Sequence, residues 1–461
     1  MGMSHPLSTS APSQPGCAST RPPRPMRQTD HGEAFQAGSR ELPWWTRGSA
    51  VNLLFVFPML LVVFWAGDSD LSGLTVRSRS FLTGWFTALC LGLVLISAMG
   101  AWLGENLRPR SVLQIPDKQL IRVAHGLGLL VLATYMFWFR SLIFNPPLML
   151  GVLTGAVIPD RDEIGTVVGI TSLVNLQPLF FSLAGYVLFL RKTGGKGLKV
   201  LTAVLLLFTL FRAYVWSERL AVAEAVVTLV LALLLAMPVP RPDQRVRRLI
   251  VRLGPYAALP GLFLFFALAE FFRSWSFYQD RLSFWDFALG RFASYYYTSL
   301  NNGAGLLATL DWPTGKFENV LSWLHTFPMG IGPLFSETVD LTEATNEIFL
   351  QRYADPEFNT SSSFAGVVMD LGVPGAILYF FVSMFCAGIL YSRYVRCDLV
   401  GLMLYPSVLV ALFESFRYCY WGTSRAVVWF LGAVLVLAVL WACGVIGAER
   451  PAPGAARSPC P

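Results

Sequence analysis

Arg212, Glu218, Arg219, Glu224, Glu270, Arg273, Asp370, Glu414, Arg417 and Arg425 stand within or at the ends of runs that are otherwise apolar. An ionisable side chain in such a run costs a few kcal/mol unless it is paired or wetted, so the set points to a function. Guanidinium groups stay charged at any physiological pH and can hold a phosphate through two parallel N–H bonds. Arg219, with Arg212 just ahead of it, fits that chemistry, and a snorkelling anchor or a surface pair with Glu218 fits it as well. His325, in LSWLHTFPMGIGPLF, suits a general base near neutral pH or a satisfied interfacial histidine. Glu224 is the second candidate base, or a buried acid tuned by an arginine, while Glu414 and Arg417 are spaced to pair with each other on one helix face. Tyr295, Tyr296 and Tyr297, followed by Asn301 and Asn302, offer an aromatic and amide-rich face for sugar stacking or for interface packing. Asp370 falls about 13 Å along its run at 1.5 Å per residue, and an arginine partner is the expected reason for keeping it there.

The elements that must carry these residues are apolar runs near 50–67, 81–104, 121–144, 166–190, 198–214, 218–237, 255–272, 362–391, 399–416 and 424–446. Each approaches the length needed to cross a hydrocarbon layer of about 30 Å. The fold class expected is therefore all-α, a polytopic membrane protein with about ten transmembrane helices. Of 461 residues 54% are hydrophobic and only 14% charged, below the roughly quarter charged of soluble domains. Gly126 and Gly128 in HGLGLL read as helix-packing glycines.

The basic segments 191–199, 241–252 and the net basic LRPRSVLQIPDK fall on one side of a ten-span topology, which the positive-inside rule makes the cytoplasm, with both termini beside them. A net charge of +7 has that cause, and nucleic acid is not implied. The long segment 273–361 then lies outside; it is acidic through Asp280, Asp286, Asp311, Glu318, Glu337, Asp340, Glu343, Glu347, Asp355 and Glu357, and its pattern predicts short helices along the membrane surface. Residues 1–48, rich in Pro, Ser and Arg, and residues 448–461 read as disordered cytoplasmic tails flanking a transmembrane domain at 49–447. Seven scattered cysteines form no CxxC pair and no HExxH occurs, so neither a metal nor another cofactor is expected.

Three stretches together resemble the O-antigen polymerase (Wzy-like) family, the oligosaccharide repeat-unit polymerases of bacterial envelopes. NTSSSFAGVVMDLGVPGAILYFFVSMFCAGILY (359–391) is similar to its Thr/Ser-rich start followed by an Asp-aromatic-Gly triplet, with Leu371 in place of the aromatic residue. GRFASYYYTSLNNG (290–303) resembles its Arg and Tyr segment, and SERLAV (217–222) its small-residue-plus-Arg start of a span. The resemblance covers about residues 50–446. It implies a glycosyltransferase of the cytoplasmic (inner) membrane that joins undecaprenyl-pyrophosphate-linked repeat units on the outer face by metal-independent inverting transfer. O-antigen, capsule and exopolysaccharide are all open as products, and the bilayer, a chain-length regulator and a flippase are the implied partners. On that reading Arg219, supported by Arg212, Arg291 or Arg417, clamps the pyrophosphate. His325 is the first choice of base and Glu224 the second, Tyr296 meets sugar, and Asp370 orients the arginines around the substrate.

An O-antigen ligase relative shares this chemistry but passes a finished glycan to another acceptor. A transporter or flippase for lipid-linked sugars is the alternative from a different class. It would line both leaflets with charge and repeat the DLGVPG element, which occurs once. A structural scaffold is the third reading.

Overall fold

The computed structural model describes residues 42–66, 80–154, 157, 164–167, 169–216, 218–237, 245–325, 327, 332, 348–354 and 358–446. The tails up to 41 and from 447, the acids Glu337, Asp340, Glu343, Glu347, Asp355 and Glu357, and the Arg273 side chain lie outside the described residues.

Helices dominate because the apolar runs leave the backbone no polar partner but itself. Eight are long and apolar enough to cross a membrane among the described residues: α1 (Gly48–Trp65), α2 (Gly84–Asn106), α3 (Asp117–Trp138), α4 (Thr171–Arg191), α5 (Lys196–Trp216), α6 (Arg219–Ala236), α9 (Ser363–Tyr394) and α11 (Ser424–Ala442). The chain is a membrane protein. The remaining two of the ten expected runs fall on α7 (Arg245–Arg273), which opens with Arg245, Arg247, Arg248 and Arg252, and on α10 (Leu399–Glu414). The 16 residues of α10 reach only about 24 Å, short of the hydrocarbon thickness.

Caps set several of the starts. Thr83 accepts from the Phe86 amide at 3.2 Å, and Ser362 from the Ala365 amide at 3.3 Å. Asp398, fully buried, accepts from the Val400 and Gly401 amides of α10, from the Leu113 amide and from Arg393 Nη1, so one carboxylate closes the turn between α9 and α10.

Two expectations change. Residues 42–48 are packed where a disordered tail is expected: Trp45 Nε1 donates to the Val251 carbonyl at 2.9 Å, Tyr405 OH donates to the Thr46 carbonyl, and Trp44 stacks on Phe55. The segment after Arg273 holds α8 (Phe284–Thr309), one helix of 26 residues, where short surface helices are expected. The reason is satisfaction of its polar residues inside protein. Asn301 Oδ1 accepts from the Phe81 amide and Asn302 Nδ2 donates to the Phe358 and Thr360 carbonyls, so Leu300–Leu307 can be buried.

At the centre α4 is enclosed by α3, α6, α10 and α11, and every residue from Leu176 to Val187 is buried. α2 and α9 make the closest pair. A Cβ added to Gly104 would stand 2.1 Å from the Phe385 carbonyl oxygen, and one on Gly388 would stand 2.2 Å from the Ala101 oxygen, so only glycine allows this backbone approach. Of the two glycines in HGLGLL, Gly128 faces Phe180 and Leu201, whereas Gly126 meets open space and packs against nothing.

α9 is broken at Gly372, whose φ of 70° and ψ of 175° lie where side-chain-bearing residues are strained. Pro374 is the residue four beyond Asp370 and has no N–H, so the Asp370 carbonyl has no helical donor. The segment after α8 fills the gap: the Thr314 amide donates to the Met369 carbonyl at 2.7 Å and the Gly315 amide to the Asp370 carbonyl at 3.1 Å.

Candidate functional site

The ends of α5, α6, α7, α8 and α10, the turn 415–423 and the start of α11 bring five arginines and four glutamates to one end of the bundle. Apolar helix flanks exclude water there, so the charges pair with each other.

The first group lies where α5, α6 and α11 meet. Arg212 Nε donates to Glu218 Oε2, and Arg425 Nη2 stands 3.5 Å from the same oxygen. Arg425 Nη1 is 3.6 Å from Glu224 Oε1, which also accepts from Tyr420 OH. The Arg212 guanidinium lies over the Trp138 ring at 5.1 Å. The second group is a carboxylate shared by two cations: Glu270, fully buried, takes Arg219 Nη2 on Oε1 and Arg291 Nε at 3.1 Å on Oε2. In the third, Arg417 Nη1 donates to Glu414 Oε2 at 3.0 Å, the pair that the i,i+3 spacing predicts.

Tyr295 joins the second and third groups. The Arg219 guanidinium lies 5.6 Å from its ring centre and 4.4 Å from that of Phe266; the Arg417 guanidinium lies 5.5 Å from the Tyr295 ring and 5.6 Å from Tyr418. A cation from α6 and one from the turn after α10 thus lie near one aromatic ring, with the attraction of its quadrupole offsetting part of their repulsion. Arg212 Nη1, Arg219 Nε, Arg417 Nε and Arg425 Nη1 are buried N–H donors with no hydrogen-bond partner among the described residues. Unmatched buried donors on cations are costly, and an anion is the ligand that would relieve them.

Outside the helices, burial raises the Tyr418 and Tyr420 phenols above their ordinary range and pushes the Cys419 thiol to about 11. Tyr420 therefore remains a protonated donor toward Glu224 at physiological pH. Beside this turn Asn52, Ser97, Ser363, Ser383, Ser415 and Tyr379 line a cavity of about 20 Å³, room for a water molecule.

Several expected roles are redistributed. Arg219 pairs with Glu270 and not with its neighbour Glu218, because helical geometry turns adjacent residues to different faces. Arg212 and Arg291 are 3% and 1% exposed and lie behind carboxylates, so they offer a ligand no open face. Among the described residues Asp370 has no arginine on its carboxylate: Oδ2 accepts from the Asn319 amide at 2.7 Å and the Val320 amide at 2.8 Å, and Oδ1 from Asn319 Nδ2 at 3.0 Å. The break in α9 turns this side chain toward the loop, where backbone donors satisfy it. Tyr296 packs edge-on against Phe292 and Phe416, and Asn301 and Asn302 are spent on backbone groups as described above. His325 ends the short helix Ser322–His325, which packs against α11. Glu224, 1% exposed, lies on the α6 side behind Tyr420.

Sequence reasoning gathers Glu270 and Arg425 among the charges but assigns them no role, and it passes over Tyr295 as the shared platform. No local pattern marks them, since their partners lie 21 to 207 residues away. Among the described residues no group of three His, Cys, Asp or Glu side chains gathers to hold a metal ion. No family model matches the chain, and no curated protein or solved structure is significantly similar to it.

Proposed function

We propose that the chain is a glycan polymerase of the bacterial cytoplasmic membrane, joining oligosaccharide repeat units carried on undecaprenyl pyrophosphate at the outer face. The observation that carries this reading is the pair Arg219 and Arg417 on the Tyr295 ring, each with a buried unpartnered Nε, in a cluster where arginines outnumber glutamates by one. Such a cluster suits a dianionic leaving group in a water-poor site.

In the proposed reaction the bond between the anomeric carbon of the growing glycan and the pyrophosphate oxygen breaks, with its electron pair passing to the leaving group. Arg219 and Arg417 meet that developing charge. The incoming sugar hydroxyl attacks the opposite face of the same carbon, which inverts it, and gives its proton to a base. Glu224, 1% exposed and with Oε1 occupied by Tyr420 and Arg425, is poorly placed to take that proton, so the role is given to His325. Glu270, itself held by Arg291, and Glu414 then position the two working guanidiniums. The short basic segments lie on the cytoplasmic side in this reading, which puts the arginine cluster outside.

The test is the size distribution of surface and carrier-linked glycans in cells lacking the protein, complemented with the parent chain or with Arg219→Ala. Single repeats at the surface with long chains absent, and no rescue by Arg219→Ala, is the expected outcome. Long chains accumulating on the carrier would make the chain a ligase, and single repeats trapped on the cytoplasmic face a transporter. Full rescue by Arg219→Ala would remove the pyrophosphate clamp.

A further inference from the structure

Asp370 gathers three N–H donors from Asn319 and Val320, at 2.7 to 3.0 Å, although it sits 1% exposed in an apolar helix. The break at Gly372 adds the bonds from Thr314 and Gly315, so the chain from Asp311 to Val320 is tied to α9 along its length. The far side of the same segment presses on the turn 419–422. A Cβ on Gly422 would stand 2.3 Å from the Asn319 oxygen and 2.6 Å from the Val320 oxygen, and Ser322 Oγ donates to the Gly422 carbonyl at 2.6 Å. Within that turn Cys419 Sγ lies 3.1 Å from Tyr379 OH, and Tyr420 reaches Glu224.

We propose that Asp370 is a positioning residue: its carboxylate pins segment 311–325 onto the 419–422 turn and thereby fixes His325 and the Arg417–Tyr420 stretch relative to one another. Its bearing on glycan transfer rests on the function proposed above; the pinning itself does not. A carboxylate is required because it is acceptor-only. Oδ2 accepts two of the three donors and Oδ1 the third, so in Asp370→Asn whichever oxygen becomes an NH₂ faces a donor with a donor.

Cys419, 6% exposed, is a native reporter of the pinned turn, and Cys90, fully buried in α2, reports on the bundle. The purified full-length chain in detergent is treated with N-ethylmaleimide at pH 8, and labelling of each cysteine is followed by peptide mass spectrometry. In Asp370→Asn, Cys419 labelling is expected to rise about tenfold or more while Cys90 stays at the parental rate, because charged hydrogen bonds that hold a local unit closed are lost. Unchanged Cys419 labelling overturns the proposal, and so does a parallel rise at Cys90, which would make Asp370 a general support of the bundle. If Asp370→Asn cannot be purified, the double variant Asn319→Ala with Ser322→Ala loosens the segment by removing the Asn319 side-chain bond to Asp370 and the Ser322 bond to the Gly422 carbonyl. It is expected to raise Cys419 labelling several-fold with Cys90 unchanged, and no rise overturns the pinning. Glycan length in the same variants bears on the function alone, so the two readings fail separately.

Discussion

Glu270→Gln removes the charge that two arginines share, and its cost follows from where those arginines lie. Arg291 is 1% exposed, its guanidinium 4.7 Å from the Phe358 ring centre, and it has no route to solvent once Glu270 is neutral. Breaking a buried ion pair by removing one partner costs about 3–5 kcal/mol. The Arg219 side chain is 18% exposed and can turn toward water, so its share is much smaller. For a chain of this size roughly 1 °C of melting temperature corresponds to 1 kcal/mol. Thermal unfolding of the detergent-purified protein, followed by tryptophan fluorescence, should therefore place Glu270→Gln about 3–5 °C below the parent. The double variant Glu270→Leu with Arg291→Leu should recover most of that loss, since it removes both buried charges and leaves apolar volume behind. A single variant within about 1 °C of the parent, or a double variant melting as low as the single, would refute the reading of Glu270 as a buried counter-charge of Arg291.

The α2–α9 crossing gives a steric prediction: Gly104→Leu forces apart backbones that now leave a Cβ 2.1 Å from the Phe385 oxygen, and should cost about 3 kcal/mol or more, seen as loss of the monodisperse peak in size-exclusion chromatography. Gly126→Leu, which adds its side chain to open space, should elute like the parent. The pH dependence of Cys419 alkylation is fixed by burial, which lifts its thiol to about 11. A raised value means less thiolate at a given pH, so iodoacetamide labelling of the folded protein should climb about tenfold per pH unit from pH 8 to 10, whereas the unfolded chain levels off near pH 9. A plateau below pH 10 in the folded protein would contradict the buried placement.

How much of this was legible in the sequence differs from residue to residue. The Glu414–Arg417 pair could be read directly, because helix geometry makes i,i+3 residues neighbours whatever surrounds them. The run 362–391 reads as one span with an arginine expected at Asp370; the groups that meet its carboxylate instead, Asn319 and Val320, lie about fifty residues earlier and no local pattern shows them. The close crossing at Gly104 is not legible in the sequence, because only the position of Gly388 on the opposing helix shows which glycine is needed. The polar face of α8 was misread for a definite reason: Asn301 and Asn302 look solvated in a string of letters and are buried against backbone groups in space.

By itself, then, the sequence determined that the chain is helical and membrane-bound, because long apolar runs with so few charges have no other way to satisfy their backbone, and it determined which charges are expensive. Tertiary structure alone decided how those charges are divided: Glu270 between Arg219 and Arg291, Glu218 between Arg212 and Arg425, Tyr295 beneath Arg219 and Arg417. Those pairings depend on which helix ends meet. Meeting is set by the packing of small and large side chains over the whole bundle, a sum over distant contacts that no local pattern contains.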